Sequence, residues 1–515
     1  MSSTLPPLVA NLLAQFPGAA LVETHISWVI LAGEYAYKLK KPLDLGFLDF
    51  STLEKRQRCC SDEIRLNSRL APDIYLEALP ITGSVARPVI GGRGDGPVLE
   101  WAVKMRAFPQ NATLDLEERV TSEQIDAIAD RIAVFHQTIA RAPKDSYHGL
   151  PDQVREPIRQ NFIQLRALQP PEKLLDLLAL LEGWSQAEGQ RLEAHFQARR
   201  DQGFIRECHG DLHLGNIAWV ENSPLIFDGI EFNPDLRFID VINEMAFLAM
   251  DLHHRDEPGL AWRVLNRYLE HTGDFEGLAA LPYYMVYRAL VRAKVAAIRA
   301  HQVGGEFSEC QTYLHLAARL AKRPSPSLIL MHGVSGSGKT LLSQHLLEGL
   351  GAVRLRSDVE RKRLFGLKPL EDSQGIPGGI YTQEAGERTR NRLLDLTRGL
   401  LEEKFSVILD ATCLARDWRQ PFQALAAELD APWLLVSPQA PLEVLRQRVR
   451  LRKIQGRDAS EADTVVLEAQ WASQEPLEPE ELQHTLAPEA DWDANTLVER
   501  VRSQLTSSDI PVATP

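Results

Sequence analysis

Cysteine is scarce in this sequence, and Cys59, Cys60, Cys208, Cys310 and Cys413 are scattered along it. Their number is odd and no two form a C-x-x-C pair, which excludes a disulfide framework and a cysteine-based zinc site. A reducing, cytoplasmic setting is the expectation. Long hydrophobic runs are also missing. The first 22 residues carry no charged side chain, but they hold no basic n-region, and Pro6, Pro7, Asn11, Gln15 and Pro17 interrupt the apolar positions. The apolar stretch 277–287 is too short for a bilayer and is closed by Glu276 and Arg288. No membrane span or membrane partner is expected. Positive charge is in deficit, with 57 Lys and Arg against 70 Asp and Glu, a net charge of −13. That balance weighs against a chain that coats DNA, because non-specific nucleic-acid binding rests on a basic surface. No internal repeat stands out.

What is present is an ordinary globular composition, 44% hydrophobic and 25% charged, over 515 residues, more than one domain needs. The chain divides near residue 324. Residues 322–327 read KRPSPS, and prolines and serines between apolar patterns make a linker. Upstream, β-branched and aromatic residues mark strands at 26–30, 35–39, 74–81 and 98–108, with helical spacing over 54–70. From residue 109 the spacing is helical to about 200, broken at Pro170-Pro171. A β island covers 205–232, and helical spacing resumes over 239–320. Downstream, short apolar runs at 328–331, 353–356, 407–410 and 433–436 alternate with helical patterns. That alternation predicts a parallel sheet covered on both faces. The expected organisation is a first domain over 1–322, with a β-rich lobe to about 108 and a helical lobe over 109–322. A linker at 323–327, a second domain over 328–505 and a loose tail at 506–515 follow.

The strongest motif is Gly333-Val334-Ser335-Gly336-Ser337-Gly338-Lys339-Thr340, a full match to G-x-x-x-x-G-K-[ST]. It follows an apolar strand pattern and precedes helical spacing over 341–350. Glycines let backbone N–H groups converge on phosphate oxygens, and the helix N-terminus adds favourable potential. Lys339 would neutralise the β- and γ-phosphates of ATP, and the Thr340 hydroxyl would ligate Mg²⁺. Asp410 closes an apolar strand where a P-loop enzyme keeps a metal ligand; a turn-capping role is the alternative. Asp358 ends the second strand, where it can accept a hydrogen bond from an acceptor hydroxyl or cap the helix expected from residue 359. Arg446, Arg448, Arg450, Arg452, Lys453 and Arg457 cluster at helical spacing. They can act as a phosphate-binding lid, as a solvated basic helix or as a nucleic-acid contact.

On GVSGSGKT at 333–340, RSD at 356–358 with Arg361, LDAT at 409–412 and the arginine cluster, this half resembles the small P-loop kinases of the polynucleotide-kinase-like, gluconate-kinase-like and zeta-toxin-like group. The resemblance implies that Asp358 contacts the acceptor and that Arg448 and Arg452 contact phosphate.

A second signature lies upstream. His209-Gly-Asp211-Leu-His213-Leu-Gly-Asn216 is followed by Ile226-Phe-Asp228. The spacing from Asp211 to Asn216 matches the kinase catalytic loop H-R-D-x-x-x-x-N, with Gly210 in place of Arg. Asp211 can take or orient the proton of an attacking hydroxyl. Asn216 and Asp228 can hold Mg²⁺ as oxygen ligands. His209 and His213 read as hydrogen-bonding groups rather than catalysts. On HGDLHLGN and IFDGIEF, the stretch is similar to the aminoglycoside phosphotransferase/choline kinase branch of the protein-kinase-like fold. The resemblance implies that the strand YKLKKP at 37–42 presents the phosphate-binding lysine. Lys38 is preferred, and Lys40, on the same face, stays open. Glu63 is a candidate partner for that lysine, or a surface ion-pair former. A G-x-G-x-x-G loop is missing; Ala32-Gly33-Glu34 is a short turn instead.

The whole chain resembles bacterial two-domain proteins in which an aminoglycoside phosphotransferase-like domain is fused to a P-loop kinase or AAA-type ATP-binding domain. The expected fold class is α/β with α+β: a two-lobed protein-kinase-like domain, then a P-loop domain with a parallel sheet flanked by helices. The expected activity is ATP- and Mg²⁺-dependent phosphate transfer to a hydroxyl of an unidentified small molecule at two nucleotide sites. Two further readings stay open: one half as a nucleotide or metabolite sensor for the other, and a nucleic-acid end kinase in the second half, with nucleic acid the less favoured partner.

Overall fold

The computed structural model describes residues 5–44, 46, 48–92, 96–455, 458–489 and 492–506. Arg457 and the tail beyond residue 506 lie outside the described residues. In chain order the helices are α1 (Pro7–Ala14), α2 (Leu53–Asn67), α3 (Ser122–Thr138), α4 (Pro151–Ala167), α5 (Glu172–Arg191), α6 (Glu193–Asp201), α7 (Val241–His254), α8 (Pro258–Thr272), α9 (Leu281–Val303) and α10 (Ser308–Leu320). They continue as α11 (Lys339–Leu350), α12 (Ser357–Leu364), α13 (Gln383–Glu402), α14 (Arg416–Glu428), α15 (Leu442–Gln455), α16 (Thr464–Ser473), α17 (Pro479–Gln483) and α18 (Ala494–Thr506). The packing draws one compact unit from 1–157 and 193–251 and the other from 158–192 and 252–515.

The first unit is built on a six-stranded antiparallel sheet. Its strands are β1 (Ala20–Glu23), β2 (Ser27–Ala32), β3 (Tyr35–Lys40), β4 (Tyr75–Ser84), β5 (Arg87–Ile90) and β6 (Glu100–Arg106). They lie in the order β1-β2-β3-β6-β4-β5. Period-two alternation sorts β3 by face. Tyr37 and Leu39 join Val9 and Leu12 of α1 in one core, while Lys38 and Lys40 turn to the other face, toward Glu63 of α2. Helix α2 starts at Thr52, whose hydroxyl accepts the Lys55 N–H, with Glu54 in the first turn. Cys60 of α2 packs with Tyr75 of β4 and Val103 of β6. Two small ribbons follow in sequence: β7 (Ile205–Glu207) pairs with β10 (Phe238–Asp240), and β8 (Ile217–Val220) forms a hairpin with β9 (Ser223–Ile226). Strands β1, β5 and β10 are additions to the sequence-based expectation. All three are short, three or four residues each, too few to set a period of two apart from the surrounding loops.

The second unit holds a parallel sheet of β11 (Leu328–Met331), β12 (Val353–Arg356), β13 (Val407–Asp410), β14 (Trp433–Val436) and the short β15 (Thr485–Leu486), ordered β12-β13-β11-β14-β15. The four long strands occupy the residues that the apolar runs predict. Leu328–Met331 is fully buried, as a strand covered on both faces must be. Leu346 and Leu347 of α11 and Leu497 and Val501 of α18 cover one face, and α13 packs against β12 and β13. Helix α8 lies beside α11 and β12 in the same unit, and Trp262 packs on the core around α11. Arg323, in the KRPSPS segment, is anchored by Glu188 of α5 at 2.8 Å and by Glu403 at 3.1 Å. Among the described residues, no helix is long and apolar enough to cross a membrane.

Candidate functional site

In the first unit, β3, α2 and the segments flanking the β8–β9 hairpin bring the upstream candidates together. Lys38 Nζ lies 2.8 Å from Glu63 Oε1 and 2.5 Å from Asp228 Oδ1. Burial by itself would pull the Lys38 ammonium down, but Asp228, Glu63 and Glu231 outweigh it and hold it well above its ordinary value. Lys38 therefore stays charged. Desolvation would raise the Asp228 carboxyl, yet Lys38 keeps it below the usual carboxylate range. Lys40 is fully buried between Glu63, at 2.5 Å, and Glu231. The two lysines thus differ: Lys38 reaches a carboxylate whose side chain is 46% exposed, and Lys40 is enclosed.

The HGD segment folds as a network. Asn216 Nδ2 donates to Asp211 Oδ2 at 3.0 Å and to the Asp211 carbonyl at 2.9 Å. His213 Nε2 lies 3.4 Å from the same Asp211 oxygen. His209 Nδ1 accepts the Asp211 N–H at 3.3 Å, so its Nε2 is the donor to the Phe227 carbonyl at 2.8 Å. Burial holds the His209 imidazole below its ordinary value and hence neutral. It ties the HGD segment to Phe227, which lies between the end of β9 and Asp228. Asn216 and Asp228 share one end of the hairpin, since Phe227 N–H donates to the Asn216 carbonyl at 3.0 Å. A carboxamide and an acidic carboxylate there form an oxygen donor set that fits Mg²⁺.

Several residues at this site have no motif. Glu63 pairs with both lysines. Asn67, one turn further along α2, accepts the Gly229 N–H at 2.7 Å, and the Tyr75 hydroxyl accepts the Asp228 N–H at 3.0 Å. Together they hold Asp228 in the left-handed region, at φ 61°. Glu244 of α7 accepts the His209 N–H at 2.8 Å and faces His136 Nε2 at 3.3 Å. The helical spacing over 54–70 places Glu63 and Asn67 on one face as i, i+4, and that was the available signal. Tyr75 and Glu244 had none. The β1–β2 connection, over 24–26, is a short turn in which Thr24 Oγ1 accepts from Ser27 N–H at 3.0 Å; it contains no glycine.

In the second unit, the loop 333–338 joins β11 to α11. Gly333, Gly336 and Gly338 have φ of 133°, 83° and 102°, conformations that side chains resist. A Cβ at Gly336 would meet the Leu445 carbonyl at 3.0 Å. Ser337 Oγ is buried with no hydrogen-bond partner among the described residues, and Lys339 Nζ donates to the Val334 carbonyl at 2.9 Å. An orphaned hydroxyl, a buried lysine and glycine-shaped backbone at a helix N-terminus fit a phosphate chain. Burial pulls the Lys339 ammonium below its ordinary value. The Ser335 N–H donates to Gln470 Oε1 of α16 at 2.8 Å.

Asp410 Oδ2 lies 3.3 Å from Ser343 Oγ and 3.6 Å from Arg356 Nε, at the carboxyl end of its strand. Asp358 sits inside the first turn of α12, which begins at Ser357, and pairs with Arg361 at 3.3 Å. It is not the helix cap. Arg448 Nη1 reaches the Gly336 carbonyl at 3.3 Å. Arg452 is held by the Ala462 carbonyl at 2.9 Å and by Asp458 at 3.9 Å, and Arg446 pairs with Glu443 and Glu468.

A family model described as an AAA domain matches residues 328–477. Among solved structures, the chain is similar to a choline/ethanolamine kinase family protein from Mesorhizobium loti (10% identity, 62% of this chain, 96% of that one, TM-score 0.39). It is similar also to a gluconokinase from Sinorhizobium meliloti (19% identity, 36% of this chain, 93% of that one, TM-score 0.26). Two curated relatives, "Uncharacterized protein Rv2004c" of Mycobacterium tuberculosis and "Uncharacterized protein Mb2027c" of Mycobacterium bovis, are each 30% identical over 455 residues, spanning 87% of this chain and 89% of theirs. The chain belongs to the family of these mycobacterial proteins, and its residues 328–477 match an AAA domain.

Proposed function

We propose that the chain is an ATP- and Mg²⁺-dependent phosphotransferase with two nucleotide sites, moving the γ-phosphate of ATP to a hydroxyl of a small molecule in a cytoplasmic setting. The observation that carries this reading is the convergence of Lys38, Glu63 and Asp228 beside the linked pair Asp211–Asn216. Glu63 aims the Lys38 ammonium, which would bind phosphate oxygens. Asn216 and Asp228 would hold the metal, and bound Mg²⁺ supplies neutralisation of the phosphate charge. Asp211, oriented by Asn216 and His213, accepts the proton of the acceptor hydroxyl.

In the second site, the backbone of 333–338 and Lys339 would hold the nucleotide. Thr340 and Asp410 would hold the metal, Asp358 faces the acceptor, and Arg448 and Arg452 close on phosphate. The functional boundaries follow the linker: 1–322 for the first domain and 328–505 for the second.

The test is γ-phosphate transfer from labelled ATP across a metabolite set, with Asp211→Ala and Lys339→Ala in separate full-length chains. Each variant is expected to lose a separable turnover activity. Full turnover in both overturns the reading. Loss in only one assigns the other half to nucleotide or metabolite sensing.

A further inference from the structure

Helix α8 lies outside the P-loop motif and outside the stretch that the AAA model matches, yet it supplies a buried anion at the base of that site. Glu270 is 5% exposed. Its carboxylate accepts from Arg354 Nη2 at 2.6 Å and from Arg356 Nη1 at 3.5 Å, both on β12. Arg354 Nη1 continues to Ser343 Oγ at 3.2 Å and to the Thr340 carbonyl at 3.4 Å. Arg356 Nε lies 3.6 Å from Asp410 Oδ2, and its Nη2 lies 2.6 Å from Asp458 Oδ1. One carboxylate thus holds two guanidinium groups that border Thr340 and Asp410, the two residues assigned to the metal. The helix is pinned to the same strand. Asn266 Oδ1 accepts the Arg354 N–H at 2.7 Å, its Nδ2 donates to the Ala352 carbonyl at 3.0 Å, and Arg263 pairs with Glu348 of α11 at 2.7 Å.

We infer that Glu270 is a positioning residue for the metal-dependent nucleotide site of the P-loop portion. Resting on the P-loop reading above, the inference adds that the site is completed from α8. A buried guanidinium without its carboxylate turns to the nearest remaining one. For Arg356 those are Asp458 and Asp410. With Glu270 in place, its charge is divided among three carboxylates, and Asp410 keeps the negative charge that a hard cation needs. Without Glu270, Arg356 closes on Asp410 and competes with Mg²⁺.

The experiment is calorimetric titration of the full chain with a non-hydrolysable ATP analogue over a series of Mg²⁺ concentrations. The binding event absent from Lys339→Ala is the P-loop event. In Glu270→Gln, its half-saturating Mg²⁺ concentration is expected to rise by about tenfold, the scale of lost partners around a metal ligand. In the double variant Glu270→Gln/Arg356→Gln it should return to within about threefold of the parent, because the competing cation is gone. An unchanged Mg²⁺ midpoint in Glu270→Gln with a lowered melting temperature overturns the inference and leaves Glu270 a brace. Should Glu270→Gln fail to fold, the double variant decides alone: a parental midpoint supports the inference and a tenfold rise overturns it. If the parent chain itself shows no Lys339-dependent event, it is the P-loop reading that fails.

Discussion

Lys38 and Lys40 divide one carboxylate between them: Glu63 Oε1 meets Lys38 Nζ at 2.8 Å, and Glu63 Oε2 meets Lys40 Nζ at 2.5 Å. The two lysines stand on the same strand face, yet their outer neighbours differ. Lys38 continues to the half-exposed Asp228, and Lys40 to the buried Glu231.

That difference separates two variants. Lys38→Ala should reduce turnover at the first site by at least a hundredfold while Lys40 still pairs with Glu63. Lys40→Ala leaves Glu231 buried without its ammonium, and should destabilise the first unit by about 3–5 kcal/mol. Denaturant unfolding beside single-turnover kinetics checks both. Equal effects on turnover and stability in the two variants would remove the distinction.

Asp211→Asn should keep nucleotide affinity and lower the rate of phosphate transfer by about 10²–10⁴-fold, since only the proton acceptor is lost. Asp228→Asn should instead raise the Mg²⁺ requirement. Comparing rate and Mg²⁺ dependence in the two variants reads out the assigned roles.

Gly336→Ala tests the phosphate cradle. The new Cβ would lie 3.0 Å from both the Leu445 carbonyl and Val449 Cγ2, on a backbone at φ 83°. Nucleotide affinity of the P-loop portion is expected to fall by at least tenfold, as measured by calorimetry, with first-site turnover retained.

Stability should decline in acid in two stages. Burial pulls His253 and His332 to about 4, so the unfolded chain takes up these protons first, and their contribution is lost as pH falls from about 6.5 toward 4. Glu244 and Glu270 follow. Burial alone would raise them, but His136 beside Glu244 and Arg354 beside Glu270 hold each at about 2. Their contribution is complete above about 4.5 and is lost as pH falls toward 2. Urea midpoints between pH 7 and 3 measure the decline, and Glu244→Gln should flatten its lower part. A midpoint that rises on acidification contradicts the assignment.

Much was legible in the sequence because it is local. The four long strands of the parallel sheet fall where short apolar runs alternate with helical spacing, and the P-loop is one contiguous octapeptide. Asp211, Asn216 and Asp228 were readable for the same reason: they flank a single hairpin, β8–β9, within one short stretch of chain. Even the pairing of Glu63 with a β3 lysine was open to view as a candidate, because the period of α2 places it on a definite face.

What only tertiary structure decided are the matters of long-range proximity. Two lysines on one face leave the choice between them open in sequence, even with Lys38 preferred; the packing of Asp228 and Glu231 joins Lys38 to a half-exposed carboxylate and makes Lys40 a buried strut. The same holds for Glu270. Nothing in α8 marks it as part of a nucleotide site, since its partners Arg354 and Arg356 are more than eighty residues away. Sequence pattern records which face of a helix is buried. Which charge it meets there depends on the fold bringing distant segments within a few ångströms, where desolvation makes each unpaired ion costly.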